Sequence, residues 1–270
     1  MAIAPSSTYL TKRASFTTQL NRQGPAPEEW KDFPLPEKTT EMTYCSDGLA
    51  LKTYIQFSDD DTQSKKSAIV FFHGGCALRE WYFLDARPFI QAGFLVMFPT
   101  FRGENGNPGN YELFFGEVDD ARAAIHWLAQ QPYVDQERIY TFGTSMGGEI
   151  SALLSLYGDL PVRFGGSCGP FFPRTDRFGP ESMYHAPVPF DIREDEECRM
   201  RTLAGNILDM QMKHYTFIGT EDEKFESKAY KQIKTENTLL EIIEVPGTHG
   251  TSVNFAVQEF LKRILDIHII

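Results

Sequence analysis

The sequence lacks most of the features that mark a specialised class of protein. Its four cysteines lie far apart and form no CxxC pair, which argues against a thioredoxin-like redox site or a cysteine-based zinc site. No apolar run approaches the ~18 residues of a membrane-spanning helix. The glycine-rich stretches contain neither GxGxxG nor a P-loop lysine. We therefore expect no cofactor, no metal ion and no membrane span.

Basic residues are also scarce. The chain has 26 Lys and Arg against 37 Asp and Glu, a net charge of −11, and no cluster of basic residues. Nucleic-acid-binding proteins usually carry a basic face, so we expect no nucleic-acid partner. Residues 1–21 show no basic segment followed by an apolar one, so no signal peptide is indicated and a cytoplasmic location is expected. The sequence does not indicate an oligomeric state.

What is present is the composition of a globular protein. The chain has 270 residues, of which 41% are hydrophobic. This length allows one large domain or two small ones, and α/β folds often reach it as a single domain. Residues 1–40 are rich first in Ser and Thr and then in Pro, which resists helix formation. We predict an irregular N-terminal arm at 1–40, anchored by Trp30 and Phe33, and a single domain at 41–270.

Strand and helix patterns alternate from residue 41 onward. Short apolar runs predict strands at Glu41–Ser46, Leu49–Phe57, Ser67–Phe72, Phe94–Phe98, Arg138–Phe142, Val162–Cys168, His214–Ile218 and Leu239–Val245. Helical spacing of apolar residues predicts helices at Glu117–Gln130, Met146–Tyr157, Glu223–Lys234 and Ser252–Ile264. Such alternation predicts a mostly parallel sheet of about eight strands with helices on both faces. Residues 170–211 interrupt the alternation and predict a lid-like insertion over the carboxyl edge of the sheet.

The most informative motif surrounds Ser145. The segment Gly143–Gly148 has the form GxSxG and stands between a predicted buried strand and a predicted helix. That setting is required for a nucleophile elbow, in which a tight turn presents the serine oxygen at a helix N-terminus. Ser145 is therefore the candidate nucleophile.

A second glycine-rich motif follows the strand Ser67–Phe72. In His73-Gly74-Gly75-Cys76, glycines allow backbone amides to approach a ligand oxygen closely. We expect the amide of Gly75 or Cys76 to form half of an oxyanion hole, and the amide of Met146 to form the other half. His73 is more suited to orienting this loop than to acting as the catalytic base.

A serine hydroxyl needs a base to take its proton. His249 follows the last predicted strand and lies on the same sheet edge as Ser145; among the other histidines, His185 in the insertion is the serious rival. The base in turn needs an acid to orient it. Asp222 follows the strand His214–Ile218, with Glu221 and Glu223 as neighbouring alternatives.

These motifs together resemble the α/β-hydrolase superfamily. The chain is similar to the catalytic domain of prolyl-oligopeptidase-like and dienelactone-hydrolase-like serine hydrolases, with no room for a propeller. The resemblance is carried by His73–Gly75, Phe101–Gly106, Gly116–Asp120, Gln131–Asp135, Gly143–Gly148, Gly219–Asp222 and Gly247–His249. It implies an α/β-hydrolase fold, and it implies that Arg102 and Gly103 shape the rim of the site. Two departures stand out: Cys76 replaces a proline that is common in the peptidases, and Ser145 replaces the cysteine nucleophile of the dienelactone hydrolases.

The sequence therefore predicts a serine hydrolase that cleaves carboxylic esters of small or medium acyl groups through an acyl-enzyme. In this prediction Ser145, Asp222 and His249 are catalytic, and Phe171, Phe172 and Tyr184 of the insertion line the substrate pocket. A peptidase or amidase acting on short peptides is the alternative, with Arg79, Arg102 or Glu149 as possible anchors. A binding protein on a hydrolase scaffold is a third possibility. The expected partner is thus a small ester or a short peptide.

Overall fold

The computed structural model describes residues 8–28, 30–58, 65–170, 188–222 and 237–267. In them, eight strands form one sheet in the order β1-β2-β4-β3-β5-β6-β7-β8. The strands are β1 (Thr39–Ser46), β2 (Leu49–Gln56), β3 (Lys66–Phe72), β4 (Leu95–Pro99), β5 (Val134–Thr144), β6 (Gly165–Cys168), β7 (His214–Gly219) and β8 (Leu240–Val245). The helices are α1 (Thr8–Ser15), α2 (Trp81–Asp85), α3 (Arg87–Gln91), α4 (Gly116–Ala129), α5 (Met146–Leu154), α6 (Asp195–Arg199) and α7 (Ser252–Ile267). A short 3-10 helix covers Ala204–Asp209.

The sheet is mostly parallel, as the sequence predicted. Strands β1 and β2 form an antiparallel hairpin, and β2 pairs antiparallel with β4. All pairs from β4 through β3, β5, β6 and β7 to β8 are parallel. From β3 the chain first adds β4 on one side, and from β5 onward it adds each strand on the other side, so the direction of strand addition reverses between β3 and β5. In open α/β sheets the crevice beyond the carboxyl ends of strands at such a reversal is the usual binding site.

Helices cover both faces of the sheet because its central strands are apolar on both sides. In β3, Val70 and Phe72 belong to the core on the face covered by α4 and α5. Ile69 and Phe71 point the other way and join the core that contains side chains of α2, α3 and α7. Successive strand residues alternate between faces, so a continuous apolar run is what a doubly covered strand requires.

Helix α1 differs from the irregular structure predicted for residues 1–40. Its first amides, those of Thr8 and Tyr9, donate to the carboxylate of Asp209 at 3.2 and 2.8 Å. At its other end, the guanidinium of Arg13 pairs with Asp119 of α4 at 2.9 Å. The helix is therefore stabilised by partners 100 to 200 residues away, which local sequence does not reveal.

The rest of the arm runs along the domain to the start of β1. Leu20 forms a β-bridge with Phe190, which follows the undescribed part of the insertion. Phe33 packs against Phe83 with ring centroids 5.9 Å apart, so it does anchor the arm. The division at residue 40 stays a prediction, and the helix predicted at 223–234 lies outside the described residues. None of the described helices is long and apolar enough to cross a bilayer.

Candidate active site

Ser145 lies in the sharp turn between β5 and α5. Its backbone has φ 53° and ψ −114°, a region that non-glycine residues rarely occupy and that costs about 1–3 kcal/mol. The glycines around it allow the turn to pack tightly: a Cβ at Gly143 would overlap the Gly147 carbonyl, and a Cβ at Gly147 would overlap the Phe72 carbonyl. The amide of Ser145 donates to the Cys168 carbonyl at 2.8 Å, which holds the strained turn against β6.

Three polar side chains meet at this turn. His249 Nε2 lies 3.1 Å from Ser145 Oγ, and His249 Nδ1 lies 2.9 Å from Asp222 Oδ2. The Asp222 side chain is 0% exposed and that of His249 is 12% exposed. An ionised carboxylate accepts hydrogen bonds only, so Asp222 selects the tautomer with hydrogen on Nδ1. Nε2 then has a lone pair that can accept the proton of the serine hydroxyl.

The topology explains why residues so distant in sequence are in contact. Ser145 follows β5, Asp222 follows β7 and His249 follows β8, and parallel strands present their carboxyl ends at one edge. Glu221, an alternative to Asp222, is exposed. Gly169, which the sequence analysis missed, follows β6 with φ +55°, and a Cβ there would lie 2.8 Å from His249 Cε1. Its position directly after a predicted strand was the available signal.

The three amides predicted to form the oxyanion hole differ in their hydrogen bonding. In the part of the chain that the structure describes, the amides of Gly75 and Met146 have no hydrogen-bond partner. The Cys76 amide does not fit the prediction, because it donates to Glu28 Oε2 at 2.7 Å and is occupied. A Cβ at Gly74 would lie 3.2 Å from the Cβ of Ser145, so this loop lies directly against the candidate nucleophile.

Side chains under the loop hold its peptide groups. The Tyr82 hydroxyl donates to the Gly74 carbonyl at 2.7 Å, and His73 Nδ1 lies 3.1 Å from the same oxygen. His73 Nε2 lies 3.1 Å from the buried carboxylate of Glu104. Burial alone would lower the pKa of His73, but the Glu104 carboxylate reverses this effect and raises the pKa above its ordinary value. His73 thus orients the loop.

Two further titratable groups near the loop are buried. Burial raises the pKa of the Cys76 thiol, so Cys76 stays a neutral thiol beside Met146 Sδ at 3.6 Å. Burial also raises the pKa of Glu117 to about 8. Glu117 Oε1 accepts the amides of Glu112 and Leu113 at 2.7 and 3.2 Å, and so holds the turn that leads into α4.

The possible substrate anchors named from the sequence are all engaged within the protein. Arg102 pairs with Asp120 at 2.7 Å, and Arg79 pairs with Glu28 at 2.8 Å. Glu149 Oε1 accepts the Leu203 amide at 3.1 Å. These contacts indicate that all three side chains stabilise the folded structure.

Some of the predicted residues lie outside the described part of the chain. They are Phe171, Phe172 and Tyr184, which were expected to line the pocket, the rival base His185, and the alternative acid Glu223.

Known proteins resemble this chain in sequence and in fold. A family model described as X-Pro dipeptidyl-peptidase (S15 family) matches residues 7–162, more than half of the chain, including Ser145. An uncharacterized peptidase of Bacillus subtilis, YtmA, is 27% identical over 135 residues, which cover 47% of this chain and 51% of that protein. The match thus spans about half the length of this curated relative.

Solved structures show the same fold. The acylaminoacyl peptidase of Pyrococcus horikoshii superposes with a TM-score of 0.63 at 18% identity, covering 84% of this chain and 40% of that chain. Est1E from Butyrivibrio proteoclasticus superposes with a TM-score of 0.66 at 15% identity, covering 84% of this chain and 99% of that chain. The α/β-hydrolase fold predicted from the sequence is confirmed.

Proposed function

The chain belongs to the X-Pro dipeptidyl-peptidase (S15) family, and we propose that it is a serine hydrolase that cleaves carboxylic esters of small or medium acyl groups. The observation that carries the proposal is the pair of contacts from His249, to Ser145 at 3.1 Å and to Asp222 at 2.9 Å. A serine hydroxyl with its proton directed at an oriented imidazole is the arrangement that nucleophilic acyl transfer requires.

The reaction proceeds in two steps. His249 Nε2 takes the hydroxyl proton as Ser145 Oγ attacks the substrate carbonyl, and the negative charge on the carbonyl oxygen is stabilised by the amides of Gly75 and Met146. His249 then gives the proton to the leaving alcohol, which leaves Ser145 acylated. In the second step His249 takes a proton from water as the water oxygen attacks the acyl carbon. The bond from that carbon to Ser145 Oγ then breaks, Oγ recovers the proton from His249, and the acid product leaves. Asp222 stabilises the imidazolium in both steps.

A peptidase acting on short peptides is the second candidate, and the family match favours it. The same groups would cleave an amide, with His249 protonating the leaving amine. Ester cleavage is favoured because Arg79, Arg102 and Glu149, the possible anchors for a peptide terminus, are paired with other groups of the protein.

A fluorophosphonate probe and graded p-nitrophenyl esters test the proposal. Wild type should be labelled and should release p-nitrophenol, and Ser145→Ala should do neither because the attacking oxygen is gone. Ser15→Ala, at an exposed serine of α1, is the matched control and should behave as wild type. Folded wild-type protein that neither labels nor turns over any ester would refute the proposal.

A panel of three substrates separates the two candidates. It contains an ester and an anilide that share one acyl group, together with an X-Pro anilide. The ester should be hydrolysed faster than either anilide. Cleavage of the X-Pro anilide with a higher kcat/KM than the anilide of the simple acyl group would favour the peptidase, because the two substrates share one leaving group. Ligand binding without turnover across the panel would instead indicate a binding protein.

A further inference from the structure

The N-terminal arm contacts the loop that follows β3 through one carboxylate. Glu28 Oε2 accepts the Cys76 amide at 2.7 Å. Glu28 Oε1 accepts two hydrogen bonds from the guanidinium of Arg79, at 3.1 and 2.8 Å. Charge-assisted bonds of this kind are shorter and stronger than neutral ones. The side chains of Glu28 and Arg79 keep 36% and 26% of their exposure, so burial of apolar surface does not explain the contact.

Planarity of the peptide group gives this contact a geometric consequence. In a trans peptide the carbonyl and the N–H point in opposite directions, so fixing one orients the other. In the peptide between Gly74 and Gly75, the carbonyl is held by Tyr82, which orients the Gly75 N–H away from it. In the next peptide, the Cys76 N–H is held by Glu28. Both peptide planes that flank Gly75 are therefore fixed, one by Tyr82 and one by Glu28.

Gly75 needs such support because of its own backbone. It has φ +65°, a conformation that glycine adopts easily and also leaves easily. A Cβ at this position would lie 2.6 Å from Glu28 Oε2, so the carboxylate lies directly against the glycine. The arm thus contacts the residue whose amide is the predicted oxyanion donor.

The segment that carries Glu28 is docked on both sides of it. Before it, the Ala26 amide donates to the Gly103 carbonyl at 2.9 Å. After it, Trp30 lies close enough that a Cβ at Gly106 would be 2.7 Å from the indole. Glu28 is therefore held at a defined place relative to the loop.

We propose that Glu28 is a positioning residue for the oxyanion donor: by holding the Cys76 amide, it fixes the second peptide plane that flanks Gly75 and so keeps the Gly75 N–H, oriented by Tyr82, toward the substrate carbonyl oxygen at Ser145. The inference rests on the proposed function, since it assigns a role within that reaction. It makes the N-terminal arm part of the active site. A misdirected oxyanion donor weakens binding of the transition state more than binding of the substrate, so the effect falls on kcat.

The test compares Glu28→Ala, Glu28→Gln and a control, Glu37→Gln, at an exposed carboxylate of the same arm. Removing an oxyanion donor outright costs about 10²–10³-fold in kcat, so loss of its positioning is expected to cost about tenfold in Glu28→Ala. KM should stay within about twofold of wild type. A trifluoromethyl ketone, which forms a tetrahedral adduct with Ser145, should bind Glu28→Ala more weakly by the same factor as the loss in kcat. Glu28→Gln should recover part of the loss because its amide oxygen still accepts the Cys76 N–H.

A second measurement does not depend on turnover. Hydrogen exchange in peptides that cover residues 74–77 should be faster in Glu28→Ala than in wild type and unchanged in Glu37→Gln. If Glu28→Ala fails to fold, the same comparison is made with Glu28→Gln. An unchanged kcat, or a rise in KM alone, overturns the positioning role in a wild type that is active. An inactive, unlabelled wild type refutes the proposed function and this role with it.

Discussion

Replacing Asp222 by asparagine tests the orientation of the candidate base. An aspartate at 2.9 Å from His249 Nδ1 accepts a hydrogen bond, whereas the amide nitrogen of an asparagine can donate one. Donation would place the imidazole hydrogen on Nε2, the nitrogen 3.1 Å from Ser145 Oγ, which could then no longer accept the serine proton. The Asp222 side chain is 0% exposed, so water has little access to replace the lost acceptor.

The wrong tautomer is expected to lower kcat at neutral pH by about 10⁴-fold, or about 5.4 kcal/mol of transition-state stabilisation. The assay is steady-state hydrolysis of the best p-nitrophenyl ester, with labelling by a fluorophosphonate probe as a check on Ser145. Glu221→Gln is the matched control, because Glu221 is the exposed neighbour that the sequence left as an alternative. The reasoning is refuted if Asp222→Asn keeps more than about 10% of wild-type kcat, or if Glu221→Gln loses as much.

Two further predictions concern stability. Burial raises the pKa of Glu117 from 4.5 to about 8, so between these pH values the folded state binds a proton that the unfolded state has lost, and stability falls as pH rises. Urea unfolding at several pH values should show wild type losing up to about 1.4 kcal/mol per pH unit in this window relative to Glu117→Gln; equal pH dependence of the two would contradict the prediction. Phe260 is fully buried, with ring centroids 5.2 Å from Phe142 and 5.5 Å from Phe164. Phe260→Ala should therefore lower the free energy of unfolding by about 3–5 kcal/mol. A loss below about 1 kcal/mol would contradict this prediction and would mean that the neighbouring side chains collapse into the cavity.

The elements that the sequence predicted well are those governed by a strong local pattern. The run at 67–72 is apolar at every position from Ala68 onward, and only a strand covered on both faces buries such a run completely. The observed strand β3 extends the predicted one by a single residue, Lys66. The elbow at Ser145 was equally visible, because small residues must flank a turn so tight that any Cβ at Gly143 would overlap backbone.

The sequence pattern did not predict the elements that are stabilised by distant partners. Helix α1 is capped by Asp209, and a carboxylate 200 residues away leaves no trace in the local pattern. Helices α2 and α3 have five residues each, too short for a periodic signal, and are stabilised by packing of Phe83 and Phe89 in the core.

The same distinction between local pattern and distant contacts applies to the candidate active site. The sequence predicted the types of the candidate catalytic groups and the sheet edge where they meet, because alternating strands and helices indicate parallel strands whose carboxyl ends share one edge. The folded structure is needed to distinguish Asp222 from Glu221, since Asp222 is buried against His249 and Glu221 is exposed. The contact between Glu28 and the Cys76 amide likewise appears only in the folded structure. That contact depends on the path of an arm that has no regular structure at this point, and such a path is decided by docking on the folded domain.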